Sequence, residues 1–389
     1  STNLCPGTSV TANITPVNQQ GQLNSPGTTY DLYFSNNPGV IVQSFSDISA
    51  TIAAIPFTFN QSSCGASSSN NCFPSQSNVF YAFVVATNAC ANSCASSPAI
   101  TYNSPPDANY TISADTTCVN SNVTIVNTGS TGNTTTGNAT SGYTCSPITK
   151  IKYTITPNSG YTVISGDLGG TSGNYNNWSG TNTVVLSFNT PGTYTITQNS
   201  QANSCGADII TQTICVESPP TVAITAAPLQ GCAPLNVDVT NNSVDNSCAV
   251  TRLWTSAQTA TGCIPQPGAP TITSPTSIDP TVVFEEAGVY TITLTMTNSC
   301  GAYNAAVQGI TIKKKPEVTL PLFPAICAGQ SCINPTATYQ NCGGTISAYS
   351  WSFTGGSPTL SGAQNPGQVC YNSPGTYTIT ANATNECGI

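Results

Sequence analysis

Tandem β-sandwiches are the fold class that this 389-residue chain predicts, and three observations predict it. A strand-like segment recurs almost unchanged, as Pro191-Gly192-Thr193-Tyr194-Thr195-Ile196-Thr197, Ala287-Gly288-Val289-Tyr290-Thr291-Ile292-Thr293 and Pro374-Gly375-Thr376-Tyr377-Thr378-Ile379-Thr380. Within each copy large apolar residues alternate with threonine, the period of two that a strand with one buried face requires. Finally, 28 Pro and 32 Gly punctuate the chain into short segments, and none of them carries a convincing 3.6-residue apolar period.

The repeat sets the domain count. Tyr194, Tyr290 and Tyr377 are 96 and 87 residues apart, and a fainter copy, Val79-Phe80-Tyr81-Ala82-Phe83-Val84-Val85, places Phe80 114 residues before Tyr194. Every copy runs into an Asn-X-Cys segment: Asn88-Ala89-Cys90, Asn203-Ser204-Cys205, Asn298-Ser299-Cys300 and Asn385-Glu386-Cys387. Units of about a hundred residues with many short strands are the size of a sandwich domain. Proline-marked junctions at Ser104-Pro105-Pro106, Ser218-Pro219-Pro220 and Lys315-Pro316 divide the chain into domains 1–106, 107–220, 221–316 and 317–389. Proline stiffens such junctions, so an extended array is expected. Unit three continues from Ala302 to Ile312 with a final strand, whereas unit four stops at Ile389, so the fourth domain is expected to lack its last strand. Four residues precede Cys5 where eleven separate Pro220 from Cys232, so the first strand of domain one is expected to be short or missing.

Earlier in units three and four stand Arg252-Leu253-Trp254 and Tyr349-Ser350-Trp351-Ser352-Phe353-Thr354-Gly355-Gly356. A tryptophan strand followed by the Gly-X-Tyr strand resembles the PKD (polycystic kidney disease) domain, with its Trp-X-Phe-Gly-Asp-Gly and later Pro-Gly-X-Tyr motifs. Unit two departs by putting Ile151-Lys152-Tyr153 where the tryptophan strand belongs, unit one departs furthest, and Gly355-Gly356 is all that remains of the Gly-Asp-Gly turn. The resemblance implies immunoglobulin-like sandwiches in which Tyr194, Tyr290 and Tyr377 open strand F and bond back to the corner backbone. It places Trp254 and Trp351 in the cores. Trp178, within Asn174-Tyr175-Asn176-Asn177-Trp178, lies outside the core pattern and is the candidate aromatic for a glycan contact.

Aligned on the repeat, the 18 cysteines fall into columns. One precedes strand B and holds Cys5, Cys118, Cys232 and either Cys327 or Cys332. A second precedes strand C and holds Cys145, Cys248 and Cys342. A third, Cys90, Cys205, Cys300 and Cys387, ends strand F. Strands C and F are neighbours in the sheet that the resemblance implies, which implies the pairs Cys145–Cys205, Cys248–Cys300 and Cys342–Cys387. At the opposite pole it implies Cys118–Cys215, Cys232–Cys263 and Cys370 with Cys327 or Cys332. Units one and four each hold five cysteines, which leaves open an odd thiol or a bridge between chains. Disulfides in such number belong to an oxidising compartment. Neither Cys90 with Cys94 nor Cys327 with Cys332 has the spacing of a zinc knuckle, and no histidine can complete a site.

Composition narrows function by exclusion. The chain has 6 Lys+Arg, 14 Asp+Glu and no His, for a net charge of −8. Without histidine there is no Ser-His-Asp or Cys-His nucleophile and no imidazole acid or base. Six cations are too few to neutralise a nucleic-acid backbone. Glu285 and Glu286, the adjacent carboxylates, point to opposite faces of a strand and cannot flank one bond. Asp238, Asp245 and Asp279 are the acids available to Ca2+, but no Asp-rich loop forms an oxygen cage, so no cofactor is expected. Lys313-Lys314-Lys315 reads as a solvated strand terminus whose charges discourage edge pairing. No run approaches the roughly 18 to 20 apolar residues of a membrane span.

Disulfide-bonded PKD-like units in tandem resemble the large secreted surface adhesins of Bacteroidota, including gliding-motility adhesins. That resemblance implies an extracellular, non-enzymatic array that spaces and presents a binding tip. Its implied partners are neighbouring repeats of a longer chain and a surface polysaccharide or protein ligand. Two other readings stay open: a substrate-binding accessory region of a secreted hydrolase, and a self-assembling filament subunit in which unit four accepts a strand from a neighbour.

Overall fold

A computed structural model describes residues 4–17, 23–246, 248–261, 263, 269–327 and 331–389. Nearly all regular structure is β-strand, and it gathers into two compact units, Ser1–Val216 and Glu217–Ile389.

The first unit begins with β1 (Ser9–Ile14), β2 (Thr29–Phe34), β3 (Gln43–Ser46), β4 (Ile52–Thr58), β5 (Ser67–Asn70), β6 (Phe73–Ser77), β7 (Ala82–Thr87) and β8 (Asn92–Ser96). β1 pairs with β4, and β3-β2-β7-β8 form a second sheet. Alternate residues of both sheets meet in a core that includes Ile14, Tyr30, Leu32, Phe57, Phe59 and Phe80. A cleft of about 700 Å³, lined by Ile14, Leu32, Val84 and Ala95 among others, lies between β1 and β8.

The second sandwich comprises β9 (Tyr110–Ile112), β10 (Thr116–Cys118), β11 (Asn122–Asn127), β12 (Asn133–Asn138), β13 (Gly142–Pro147), β14 (Lys150–Thr156), β15 (Tyr161–Ser165), β16 (Thr183–Phe188), β17 (Gly192–Gln201) and β18 (Ala207–Glu217). Its sheets run β9-β11-β16-β15 and β10-β18-β17-β14. In immunoglobulin letters these are A-B-E-D and A′-G-F-C, with the hairpin β12–β13 inserted between B and C. The Thr/apolar alternation of β17 becomes a buried row of Tyr194, Ile196, Gln198 and Ser200. Gln198 fits that row because its amide nitrogen donates to Asn127 Oδ1 at 2.8 Å.

In the second unit the same plan recurs through β19 (Ile224–Ala227), β20 (Gln230–Cys232), β21 (Leu235–Asn241), β22 (Thr251–Thr261), β23 (Thr271–Thr273), β24 (Thr281–Phe284), β25 (Gly288–Asn298) and β26 (Gly301–Lys313). The sheets are β19-β21-β24-β23 and β20-β26-β25-β22, with β20 parallel to β26. The fourth sandwich follows with β27 (Glu317–Thr319), β28 (Ser331–Ile333), β29 (Thr338–Gln340), β30 (Ala348–Phe353), β31 (Leu360–Ser361), β32 (Val369–Tyr371) and β33 (Ile379–Thr384). Among the described residues β33, the F-type strand, pairs on one side only, with β30. The fold is therefore all-β, a tandem series of immunoglobulin-like sandwiches tied by disulfides.

Candidate functional site: the stapled junctions

Sixteen of the 18 cysteines are disulfide-bonded. Cys5–Cys205 and Cys64–Cys145 tie the first sandwich to the second, with Cα atoms 5.2 and 5.7 Å apart. Cys232–Cys387 and Cys263–Cys342 tie the third to the fourth in the same way, at 5.5 and 4.7 Å. Within single sandwiches lie Cys72–Cys94 and Cys332–Cys370, the latter one of the two alternatives left open for Cys370. Cys118, Cys215, Cys248 and Cys300 are half-cystines too.

Three expected pairs are thereby corrected. Cys145 and Cys205 do not meet, nor do Cys342 and Cys387, nor Cys232 and Cys263. The physical reason is direction. Cys145, carried on the β12–β13 hairpin, and Cys342, just before β30, share with Cys205 and Cys387 the end of the sandwich that docks on its neighbour. Each sulfur therefore finds its partner across the junction rather than beside it.

The Asn-X-Cys turn presents the third-column cysteine. The N–H groups of Cys205, Cys300 and Cys387 donate to Asn203, Asn298 and Asn385 Oδ1 at 2.8, 2.9 and 2.8 Å. Meanwhile the side-chain amide nitrogens capture carbonyls of the proline-marked linkers: Asn203 to Ser104 at 2.8 Å, Asn298 to Ser218 at 2.8 Å and Asn385 to Lys314 at 2.7 Å. One asparagine thus orients the sulfur and anchors the linker. A Ser or Asp could accept from the cysteine N–H but could not donate an amide to the linker.

Around this shared element the two junctions differ. In the first unit the β12–β13 hairpin reaches the first sandwich: Gln76 donates to the Ala139 carbonyl at 2.8 Å and Asn78 to that of Tyr143 at 3.0 Å. Thr135 N–H donates to Asn103 Oδ1 at 2.8 Å, and the Tyr143 ring packs on Phe73, Val79, Tyr81 and Phe83. In the second unit an ion pair does this work. Lys313 Nζ of the third sandwich meets Glu386 Oε1 of the fourth at 2.7 Å, while Lys314 Nζ meets Glu286 Oε2 at 2.9 Å within the third. The Lys313 hydrogen bond, with the Thr345 N–H on the other oxygen, holds the Glu386 carboxyl down at about 2. Lys313-Lys314-Lys315 is therefore not simply a solvated terminus, since two of its three ammonium groups clasp the neighbouring turns.

Glu217, which opens the second unit, is a buried acid that sequence reasoning missed. It is fully buried, and burial opposes its charge. Hydrogen bonds from the Ser299, Ala249 and Cys248 N–H groups outweigh that and hold its carboxyl below the usual glutamate range. Nothing in Val216-Glu217-Ser218 distinguishes it from a surface acid, because its donors lie 31 to 82 residues away.

The remaining predicted residues are structural. The hydroxyls of Tyr194, Tyr290 and Tyr377 donate to the carbonyls of Thr190, Glu286 and Ser373, four residues back in each case, at 3.0, 3.1 and 2.6 Å. Gly160, at φ +84°, leaves room for the Tyr194 hydroxyl, which also reaches its carbonyl at 3.2 Å. Trp254 and Trp351 are buried. So is Trp178, which is only 7% exposed. Its indole N–H donates to the Ser172 carbonyl at 2.9 Å, and Lys152 Nζ lies 5.2 Å from the ring centroid. The expected glycan platform is corrected: the ring that a sugar would stack on is folded into its own loop. Asp245 faces Arg252 at 3.8 Å, Asp279 accepts from Asn241 N–H at 2.7 Å and Asp238 from Thr281 at 3.3 Å, each engaged separately. Among the described residues the cluster of three side chains with metal-ligand spacing is Cys263, Glu317 and Cys342, whose two sulfurs are already joined.

The PKD domain family matches residues 329–389 of this chain. No curated protein matches it. Among solved structures it is similar to the I-band fragment I67–I69 of titin, at 12% identity and a TM-score of 0.33, covering 80% of this chain and 95% of that one. The ectodomain of mouse nectin-like molecule 4 gives 10% and 0.35 over 80% and 96%. The FdeC adhesin of Escherichia coli gives 11% and 0.32 over 80% and 94%. No helix among the described residues is long and apolar enough to cross a membrane.

Proposed function

We propose that this chain is a non-enzymatic extracellular array that spaces and presents a binding tip at a cell surface, as part of an adhesion or gliding filament of the Bacteroidota type. The observation that supports this is the paired staple. Two sandwiches joined by a linker alone swivel about it. The first and second are joined by a linker and by two disulfides at separate points, as are the third and fourth, and three connections remove the swivel. Catalysis needs no such stiffness, whereas holding a tip away from a surface does. The disulfides also require an oxidising setting. The partners of such an array are neighbouring repeats and, at the tip, a surface polysaccharide or protein.

Immunogold electron microscopy of native cells, with antibody raised to this chain, tests the reading. Label is expected along fibres standing off the cell surface. Label found only on a secreted catalytic assembly would overturn it in favour of a hydrolase accessory region.

A further inference from the structure

In the second and third sandwiches an A strand runs beside strand B and covers the core. β9 pairs with β11 and buries Tyr110, and β19 pairs with β21 and packs Ile224 and Ala226 against the core. Both strands read apolar-Thr-apolar, as Tyr110-Thr111-Ile112 and Ile224-Thr225-Ala226. In the first sandwich β1 holds the place of strand B, pairing with β4, and among the described residues no strand pairs with its other edge. A two-stranded sheet therefore faces the four strands β3-β2-β7-β8. The cleft of about 700 Å³ between β1 and β8 lies where strand A runs in the second sandwich.

One wall of this cleft is a strand edge. Ladder bonds alternate along an antiparallel pair, and Pro56, opposite Thr11, has no N–H to give. The bonded pairs are thus Val10 with Phe57 and Ala12 with Ile55, and the Thr11 N–H and carbonyl point away from β4 into the cleft. The floor has room for large side chains. Where β17 and β18 place Ile196 and Ile210, β7 and β8 place Ala82 and Ala95. Ala95 is exposed although it lies opposite Val84 on the core face. Charge is missing too. In the second sandwich Asp208 accepts from the Ala108 N–H at 2.7 Å as the chain enters strand A, and Ser93 stands in the matching place here. None of the described residues lining the cleft is charged.

We propose that this cleft binds an extended, uncharged segment of a partner polypeptide, which adds to β1 as strand A. Its main chain bonds to Thr11, and two large apolar side chains two residues apart fill the space over Ala82 and Ala95. Strand addition of this kind takes affinity from the ladder and specificity from the pockets for alternate side chains. A second copy of this chain is a poor donor, because its own A strands are already paired within their sandwiches. Nothing here depends on the adhesive reading, and fibre labelling on cells would be untouched by its failure.

The test uses the whole 389-residue chain and a fluorescent peptide copying Ala108 to Ala114. Saturable binding by anisotropy is expected, weakened by more than about tenfold in a peptide carrying Tyr110→Asp and Ile112→Asp, and by as much when Ala95→Trp fills the cleft of the protein. Independently of any variant, the wild-type peptide should slow amide exchange at Thr11 and leave Val10 and Ala12, already bonded to β4, unchanged. Absence of saturable binding, binding that survives Ala95→Trp, or unaltered exchange at Thr11 would overturn the proposal. So would concentration-dependent dimerisation of the chain alone that Ala95→Trp abolishes, because the cleft would then belong to a second copy.

Discussion

The two internal junctions share their covalent wiring and differ in everything around it. Both use an F–G cysteine bonded to the opening segment of the preceding sandwich and a second bond from the segment that leads into strand C. Both use an asparagine to hold the linker. The first adds a hairpin and an aromatic contact, the second a lysine–carboxylate bridge. Orientation is thus fixed by the staples and the asparagine. The surrounding contacts need only be compatible with it, which is why apolar and ionic versions both occur.

The largest expected effect comes from removing one staple in each. Cys64–Cys145 and Cys263–Cys342 span 81 and 79 residues, so chain entropy assigns each the same loss, about 4 to 5 kcal/mol if unstrained. Calorimetry of C64S/C145S and C263S/C342S should show each variant lowering the transition of its own unit. A greater loss in the second would show the ionic glue to be the weaker. Next, Tyr143→Ala should cost the first unit about 1 to 2 kcal/mol, as befits a half-buried aromatic, and leave the second unchanged. Asn203→Ala and Asn385→Ala should cost about 1 to 2 kcal/mol each in denaturant titrations, since either removes an amide donor to a linker carbonyl and the acceptor of a cysteine N–H. Clearly unequal losses would break the claim that this asparagine is the common element.

The smallest effect is acid sensitivity. Glu386 is held at about 2, below the roughly 4.3 of an unfolded glutamate, so its contribution is complete above that higher value and disappears as pH falls through about 2. Amide exchange at Thr345, whose N–H donates to Glu386, should therefore lose protection between pH 5 and 2. The Thr135 amide of the first junction, bound to the neutral Asn103, should not.

Much of the fold was legible in the sequence because alternation and repetition are one-dimensional signals. The Tyr-Thr-Ile-Thr strands, the tyrosines bonded four residues back and the cysteine columns all register there. What a column cannot register is which way its sulfur faces, so by column alone Cys205 and Cys387 pair with neighbours in their own sandwich. The β12–β13 hairpin escaped notice because its threonines and glycines read as turn, and its value lies in contacts more than sixty residues away. Lys313 looked solvated because Glu386 is 73 residues distant. Trp178 looked exposed among asparagines, although one hydrogen bond to Ser172 turns it inward.

The bond between Cys5 and Cys205 places 200 residues inside a covalent loop whose ends are 5.2 Å apart. Tension entering near Cys5 and leaving beyond Cys205 crosses two sulfur atoms and bypasses both sandwiches. At about 3.3 to 3.6 Å per residue, some 660 to 720 Å of contour is kept off the load path. Pulling the first unit should therefore release almost no length until a reductant is added, and the 155-residue loop closed by Cys232–Cys387 protects the second unit likewise.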